Sequence, residues 1–266
     1  IVDGGTLVVC LDDDNAAALG ERSVAKGINV VGYGTEPAAA AHPTVPAMAR
    51  IRSSAVVPEG TRARIDLDGR EVEVTLQIPG DHMVLNGAAA LLSGYLVGGD
   101  LDRLVDGLSD FSGVRRRFEH HGTLEGGSYK GASVYDDYAH HPTEVDAVVT
   151  AARERVDAAG EGHVIVAFQP HLYSRTLEFT KEFAAALSLA DSAVVLDIFG
   201  ARETPVEGVT SRVITEEMTI PVIYEPNFTA VPERIAEIAG PGDIILTMGA
   251  GSVTMLAPEI LARLQG

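Results

Sequence analysis

The second half of the chain alternates short apolar strands with helices, and this pattern constrains the fold more than any other feature of the sequence. The predicted strands cover residues 164–168, 193–198, 222–224 and 244–248, and the predicted helices cover 143–156, 176–189, 229–239 and 253–264. Short apolar strands separated by helices are typical of a mostly parallel sheet covered on both faces. In such sheets ligands bind beyond the carboxyl ends of the strands, so we expect functional residues there.

The first 110 residues show a different pattern. A strand over 6–11, a helix that begins after Asp12–Asn15 and runs to Lys26, and a strand over 28–31 predict a βαβ unit. Alternating apolar residues over 63–78, with Asp68-Gly69 between them, predict an antiparallel hairpin. Helices are expected over 82–97 and 101–108, residues 38–41 look like a linker, and an antiparallel hairpin is expected over 117–135. The break at Phe111-Ser112-Gly113 predicts two domains, 1–112 and 113–266, in keeping with the length.

Composition excludes several classes of partner and site. The formal charge of −18, from 20 basic and 38 acidic residues, argues against nucleic acid or an anionic membrane as a partner. No apolar stretch approaches the roughly 20 residues of a membrane span, and the first residues lack a basic leader, so a cytoplasmic location is expected. The single cysteine, Cys10, excludes an intrachain disulfide and lies in an apolar run that predicts a buried thiol.

Unusual polar residues follow the predicted strands of the second domain. They lie in four segments, residues 136–142, 169–175, 197–203 and 249–252. Pro142 fits the first turn of a helix, with Thr143 and Asp146 as further caps, which places residues 137–141 on a strand-to-helix loop. The run Arg115-Arg116-Arg117 indicates either a local anion site or a solvated group of charges. The glycines around Ala250 are more typical of a plain turn than of a phosphate loop.

Several kinds of catalytic site are disfavoured by the same residues. There is no G-x-S-x-G motif, and Ser174 beside His171 has no orienting acid in the sequence. None of the three lysines follows a glycine, so a G-x-x-x-x-G-K-[ST] phosphate loop is absent. The eight histidines lack H-x-H and H-x-x-x-H spacings, so no metal site is predicted.

Three segments together resemble one known family. Residues 111–119 read FSGVRRRFE, residues 135–143 read YDDYAHHPT, and residues 168–176 read FQPHLYSRT. This order and spacing is similar to that of the Mur ligases over residues 80–266, and residues 1–79 resemble the later part of their central domain. The resemblance implies an α/β fold, in which part of the central ATPase domain precedes a Rossmann-like C-terminal domain with a mostly parallel sheet. The family's phosphate loop, magnesium ligands and N-terminal UDP-binding domain have no counterpart here. We therefore expect a fragment that has no ligase activity alone.

The resemblance also implies an activity. Mur ligases use ATP and Mg²⁺ to phosphorylate a carboxylate, and an amine then attacks the acyl phosphate, so no protein nucleophile is needed. Residues 168–176 favour the substrates UDP-N-acetylmuramate and L-alanine over the tripeptide that a related member attaches to the same sugar. A non-catalytic nucleotide-binding module and a generic α/β domain remain alternatives.

Site residues carry over position by position from this resemblance. The expected ATP contacts are Asn86, His82, Arg117 and Asp137. The expected contacts to the amino acid and the muramoyl carboxylate are Tyr138, His140, His141, His171, Tyr173 and Arg175, with His140 as the candidate catalytic residue. Met83 replaces an asparagine of the family pattern, so a second adenine contact beside Asn86 is not expected. Leu172 replaces a frequent arginine, so one carboxylate contact is either lost or supplied elsewhere.

Overall fold

The chain forms two compact units in a computed structural model that describes residues 1–2, 4–57 and 60–266. The units are Ile1–Ser112 and Gly113–Gly266, and each contains its own sheet and hydrophobic core. Within the described residues, no helix is both long and apolar enough to cross a membrane.

The first unit contains a five-stranded mixed sheet. Its strands are β1 (Thr6–Cys10), β2 (Asn29–Thr35), β3 (Ala47–Val57), β4 (Gly60–Leu67) and β5 (Arg70–Leu76). Its helices are α1 (Asp14–Ala25), α2 (Glu36–Ala41), α3 (Asp81–Leu96) and α4 (Leu101–Ser109). The strands lie in sequence order, with β1, β2 and β3 parallel and β3, β4 and β5 antiparallel. The predicted βαβ unit and hairpin are therefore confirmed. Both central residues of the hairpin turn, Asp68 and Gly69, have positive φ, as a tight β-hairpin turn requires.

Three details of the first unit differ from the sequence interpretation. Residues 38–41, expected to form a linker, belong to α2, because Thr35 caps the helix, Pro37 lies in its first turn and alanine favours helix. Strand β3 was not predicted, since its central residues are charged and polar. It forms because β2 and β4 pair with its two edges, and Arg52 donates to Asp66 of β4 at 2.5 Å. Cys10 is half-buried at the end of the edge strand β1, not fully buried as expected.

The second unit contains a six-stranded sheet of the predicted kind. Its strands are β6 (Glu119–Thr123), β7 (Ser133–Asp137), β8 (Val164–Phe168), β9 (Ser192–Val195), β10 (Val222–Tyr224) and β11 (Ile244–Met248). Its helices are α5 (Pro142–Ala159), α6 (Tyr173–Glu178), α7 (Thr180–Leu187), α8 (Arg212–Thr215), α9 (Val231–Ile238) and α10 (Leu256–Gln265). The strand order is β10-β9-β8-β11-β7-β6, and every pair is parallel except β6 with β7. All residues of β8 and β11 are buried, which explains why β8 is entirely apolar and β11 is apolar except for Thr247, whose hydroxyl donates to Asp136.

One predicted helix of this unit is two helices in the structure. The sequence indicates a single helix over 176–189, but α6 ends at Glu178 and α7 begins at Thr180. Phe179, with φ −115° and ψ 28°, separates them, and its ring packs against the ring of His141 at 5.0 Å between centroids. Helix α6 also begins three residues earlier than expected, which places Tyr173 and Arg175 on a helix at the carboxyl end of β8.

Candidate functional site

The loop between β7 and α5 carries three of the predicted site residues, and its last residue, His141, caps the helix. Pro142 begins α5 as predicted, but the caps are His141 and Glu144, not Thr143 and Asp146. The Glu144 carboxylate accepts the backbone N–H groups of His140 at 3.1 Å and His141 at 3.3 Å, and His141 Nδ1 accepts the N–H of Thr143 at 3.4 Å. The His141 side chain therefore has a local structural role in addition to its predicted substrate contact.

Four aromatic rings lie in succession at the carboxyl edge of the sheet, and we call Tyr138, His140, His171 and Phe199 the ring cluster. Neighbouring ring centroids are 5.0 Å apart for Tyr138 and His140, and 5.9 Å apart for His140 and His171 and for His171 and Phe199. Arg175 joins the cluster, because its Nη1 donates to the backbone oxygen of His140 at 3.4 Å. The structure thus brings together Tyr138, His140, His171 and Arg175. Phe199 was not singled out from the sequence, and its place in the polar segment 197–203 was the only signal.

The hydrogen bonds of His140 fix its tautomer when the ring is neutral. His140 Nδ1 lies 2.9 Å from the backbone oxygen of Tyr138, which can only accept. The proton of the neutral ring therefore resides on Nδ1, and Nε2 is left as an acceptor. The Glu144 carboxylate, 3.3 Å from the same Nδ1, favours this arrangement.

His171 is a neutral, incompletely paired histidine. Burial lowers its pKa, and the electrostatic interactions with Arg175, His140 and Arg202 lower it further, while that with Glu203 opposes them. Its Nδ1 is buried and has no hydrogen-bond partner within the described part of the chain. A buried polar atom without a partner is costly unless a ligand or water satisfies it. His171 is therefore suited to hydrogen bonding with a bound molecule.

The backbone beside His171 is held in a strained conformation. Leu172 has φ 73°, which is uncommon for a residue with a side chain. Two backbone hydrogen bonds hold it there, from Leu172 N to the oxygen of Phe199 at 3.0 Å and from Phe199 N to the oxygen of Pro170 at 2.8 Å. The loops that follow β8 and β9 are therefore fixed against each other at the ring cluster.

Ser174 has an acidic partner that sequence analysis missed. Glu203 accepts the Ser174 backbone N–H at 3.0 Å and its hydroxyl at 2.5 Å. These hydrogen bonds lower the pKa of Glu203, so it is a weak base and the serine is not activated as a nucleophile. Tyr173 packs beside Gly200, where an added Cβ would lie 2.9 Å from the tyrosine ring. Both contacts strengthen the junction between the two loops.

The three consecutive arginines have different environments. Arg116 Nε lies 3.4 Å from Asp136, its guanidinium donates to the backbone oxygens of Gly249 and Gly251, and it lies over the Tyr138 ring at 4.7 Å. Asp136 is fully buried and also accepts two threonine hydroxyls at 2.6 Å each. Arg117 is more exposed, with Nη1 3.8 Å from Glu144. Arg116 therefore stabilises the fold, and of these three arginines the exposed Arg115 and Arg117 are the ones suited to bind an external anion.

Asp137, a predicted ATP contact, is buried and faces the backbone. Its two carboxylate oxygens accept the N–H groups of Phe118 at 2.8 Å and Ala139 at 2.7 Å. Burial raises its pKa from 3.8 to about 6, although the two N–H groups and Arg117 act in the opposite direction. The carboxylate joins the segment before β6 to the loop after β7. Its contact with a nucleotide stays a prediction.

The raised pKa of Asp137 predicts a specific pH dependence of stability. The folded protein binds this proton more tightly than the unfolded chain, so the free energy of unfolding should fall by about 3 kcal/mol as pH rises from about 4 to 6. The measurement is urea unfolding of wild type and Asp137→Asn between pH 3.5 and 7.5. The free energy of unfolding of wild type minus that of the variant should fall as pH rises. A free-energy difference that does not change with pH, or that rises with pH, would contradict the prediction.

The predicted ATP contacts of the first unit lie on α3. Asn86 is exposed, and its Nδ2 lies 3.8 Å from the sulfur of Met83. His82 is half-buried and precedes Asn86 by four residues, so the two side chains lie on neighbouring positions of one helix face. An exposed amide whose one hydrogen-bond contact among the described residues is a weak one to sulfur is suited to hydrogen bonding with the edge of a base.

One group of potential metal ligands occurs in the described part of the chain, but it does not fit Mg²⁺. Glu119, His121 and Asp136 offer ligand atoms within 4.8 Å of one another. The oxygens of Asp136 already accept two hydroxyls, and the Arg116 guanidinium lies beside it. Mg²⁺ prefers oxygen ligands in octahedral geometry, and an adjacent guanidinium opposes a cation. We therefore assign no step to a metal at this position.

Comparison with known proteins gives a consistent match. Residues 116–251 match the family model described as Mur ligase, glutamate ligase domain. The UDP-N-acetylmuramate–L-alanine ligase of Mycolicibacterium smegmatis is 50% identical over 267 residues, covering all of this chain and 53% of that protein. The enzyme of the same name from Saccharopolyspora erythraea is 47% identical over 268 residues, covering all of this chain and 52% of that protein. The chain thus spans about half the length of the curated relatives it matches.

Solved structures share the fold. The UDP-N-acetylmuramate–alanine ligase of Thermotoga maritima has a TM-score of 0.70 at 23% identity, covering 88% of this chain and 48% of that one. A murein peptide ligase from Psychrobacter arcticus has a TM-score of 0.62 at 19% identity, covering all of this chain and 52% of that one. At these identities the likeness concerns the fold alone.

Proposed function

The chain belongs to the Mur ligase family, and on that premise we propose that it serves in an ATP-dependent ligase that joins L-alanine to UDP-N-acetylmuramate. The second unit, residues 113–266, would bind the amino acid, and the first unit, residues 1–112, would be the later part of the central ATP-binding domain. The names of relatives that match the whole chain at 47–50% identity support this choice over the tripeptide-adding member. The cytoplasm, where nucleotide substrates are available, is the proposed location.

The observation that carries the proposal is the ring cluster with Arg175. This site offers hydrogen bonds and positive charge but no activated nucleophile. Such a site fits a reaction in which the substrates react with each other. ATP would transfer a phosphoryl group to the lactyl carboxylate, and the neutral amine of L-alanine would attack the acyl carbon. The C–O bond to phosphate then breaks, the C–N bond remains and the amine loses a proton. Catalysis would rest on alignment and on stabilising developing negative charge.

The side chains of this unit have distinct proposed roles. Arg175 would hold a carboxylate by two parallel N–H bonds, which its largely uncommitted guanidinium allows. Tyr138, His171, His141 and Tyr173 would line the same site. His140 is the candidate for accepting the amine proton, because its Nε2 is the acceptor in the neutral tautomer.

ATP is the proposed cofactor of the complete enzyme, together with Mg²⁺. Arg117 and Asp137 of the second unit, and Asn86 and His82 of the first, are the proposed nucleotide contacts. The 266 residues contain no G-x-x-x-x-G-K-[ST] motif, so the phosphate loop and the magnesium ligands would come from the other half of a full-length enzyme. When bound, the metal would neutralise charge on the transferring phosphoryl group.

A comparison of two amine substrates tests the proposed function. The full-length gene product is incubated with ATP, Mg²⁺ and UDP-N-acetylmuramate, and with either L-alanine or the tripeptide L-Ala-D-Glu-meso-diaminopimelate. We expect phosphate release and a new amide product with L-alanine. Release with the tripeptide only would assign the chain to the tripeptide-adding member. Release with neither would favour a non-catalytic nucleotide-binding module.

A further inference from the structure

Arg202 is an exposed cation beside the ring cluster that the proposed function leaves unused. It lies in the loop after β9, three residues beyond Phe199, whose ring stacks on His171. Across residues 1–2, 4–57 and 60–266, no side chain forms an ion pair or a hydrogen bond with Arg202. Its positive charge nevertheless reaches His171, where it contributes to the lowered pKa of the imidazole.

The loop that carries Arg202 is fixed at both ends. Leu172 N donates to the oxygen of Phe199 at 3.0 Å, and Glu203 accepts both the backbone N–H and the hydroxyl of Ser174. Between these anchors, Glu203 N donates to the oxygen of Gly200 at 2.8 Å, which closes a tight turn. Ala201, inside the turn, has φ 50°. Arg202 is therefore presented by an ordered turn and not by a loose loop.

The charges around His171 do not cancel locally. Arg175 and Arg202 are both positive and Glu203 is negative, but Glu203 already accepts two hydrogen bonds from Ser174. The lowered pKa keeps His171 neutral at pH 7. In a chain with a net charge of −18, two arginines whose positive charges both act on one neutral histidine form a local site for an anion.

We propose that Arg202 and Arg175 together bind the carboxylate of the incoming amino acid. This inference rests on the proposed function and deepens it. Of the two substrate carboxylates, the lactyl group must accept a phosphoryl group and cannot stay neutralised by arginines, whereas the amino acid carboxylate is unchanged by the reaction. The same positive charges disfavour the ammonium form of the bound amino acid, and so favour the neutral amine that attacks. Arg202 thus supplies the carboxylate contact that is missing because Leu172 replaces an arginine.

The test uses the full-length enzyme with Arg202→Ala and, as control, Lys181→Ala. Lys181 is an exposed cation on α7 of the same unit, so its removal changes the net charge equally. We expect Arg202→Ala to raise the KM for L-alanine by about 10-fold and to leave the KM values for ATP and UDP-N-acetylmuramate within about 2-fold. Lys181→Ala should leave all three KM values unchanged, and Arg202→Lys should give an intermediate KM for L-alanine.

A substrate without the carboxylate separates a direct contact from a structural effect. If Arg202 binds the carboxylate, the ratio of kcat/KM for L-alanine to that for L-alaninamide should fall about 10-fold in Arg202→Ala. An unchanged ratio, or a raised KM for UDP-N-acetylmuramate instead, would overturn the proposal. Absence of L-alanine-dependent phosphate release in the wild-type enzyme would instead mean that the proposed function itself fails.

Discussion

Replacing Arg116 with alanine is expected to lower the free energy of unfolding of the second unit by about 3 kcal/mol or more. Asp136 is fully buried and would lose the guanidinium 3.4 Å away, while the oxygens of Gly249 and Gly251 would lose their donor. Removing one partner of a buried ion pair typically costs about 3–5 kcal/mol, because the remaining charge is uncompensated. Arginine and alanine would have the same backbone conformation at position 116, with φ 60°, so backbone strain does not differ greatly between wild type and variant. Urea unfolding of the 266-residue chain measures the loss.

Arg117→Ala is the matched control for Arg116→Ala. Its side chain is 44% exposed, and its nearest acid, Glu144, is 3.8 Å away and partly exposed. Exposed ion pairs contribute about 0–1 kcal/mol, so this variant should unfold close to wild type. Equal losses for the two variants would contradict the division of roles between the neighbouring arginines.

Replacing Arg175 with alanine is expected to lower kcat/KM for L-alanine in the full-length enzyme by about 100-fold. Two parallel charge-assisted hydrogen bonds to a carboxylate would be lost, and 100-fold corresponds to about 2.7 kcal/mol. Arg175→Lys should recover part of the loss, since lysine restores the charge but not the planar pair of donors. Initial rates of phosphate release at varied L-alanine concentration measure the effect.

Glu178→Ala controls for damage to the helix that carries Arg175. Glu178 is an exposed residue at the end of the same helix, α6, so its loss tests whether any change in α6 reduces activity. This variant should keep kcat/KM within about 2-fold of wild type. An Arg175→Ala enzyme that folds normally and retains full kcat/KM for L-alanine would contradict the proposed carboxylate contact.

The parallel sheet of the second unit was predictable because its central strands, β8 and β11, are fully buried. Strands β8, β10 and β11 have the predicted bounds, since short, mostly apolar runs leave little choice of length. Strand β3 was not predictable in the same way. Its arginines and serines are tolerated because neighbouring strands satisfy its backbone and Asp66 pairs with two of its side chains. Tertiary pairing there overrides the local pattern.

The site residues that were predictable are those that directly follow neighbouring strands of the sheet. His140 follows β7 and His171 follows β8, and these strands flank β11 at the same edge of the sheet, so their meeting follows from the topology. The positions of Phe199, Arg202 and Glu203 depend on a tight turn after β9 that no sequence motif indicates. Likewise, adjacent arginines look alike in sequence, and only the backbone turn at Arg116 directs one inward and leaves the next exposed.

The most direct test of the central claim follows the oxygen atoms of the activated carboxylate. UDP-N-acetylmuramate labelled with ¹⁸O at both lactyl carboxylate oxygens is given to the full-length enzyme with ATP, Mg²⁺ and L-alanine, and the phosphate is analysed by mass spectrometry. An acyl phosphate attacked by the amine transfers one labelled oxygen to each phosphate and leaves one in each amide. We predict one ¹⁸O per phosphate released, with release dependent on L-alanine. Unlabelled phosphate, or phosphate release that does not depend on L-alanine, would contradict the account.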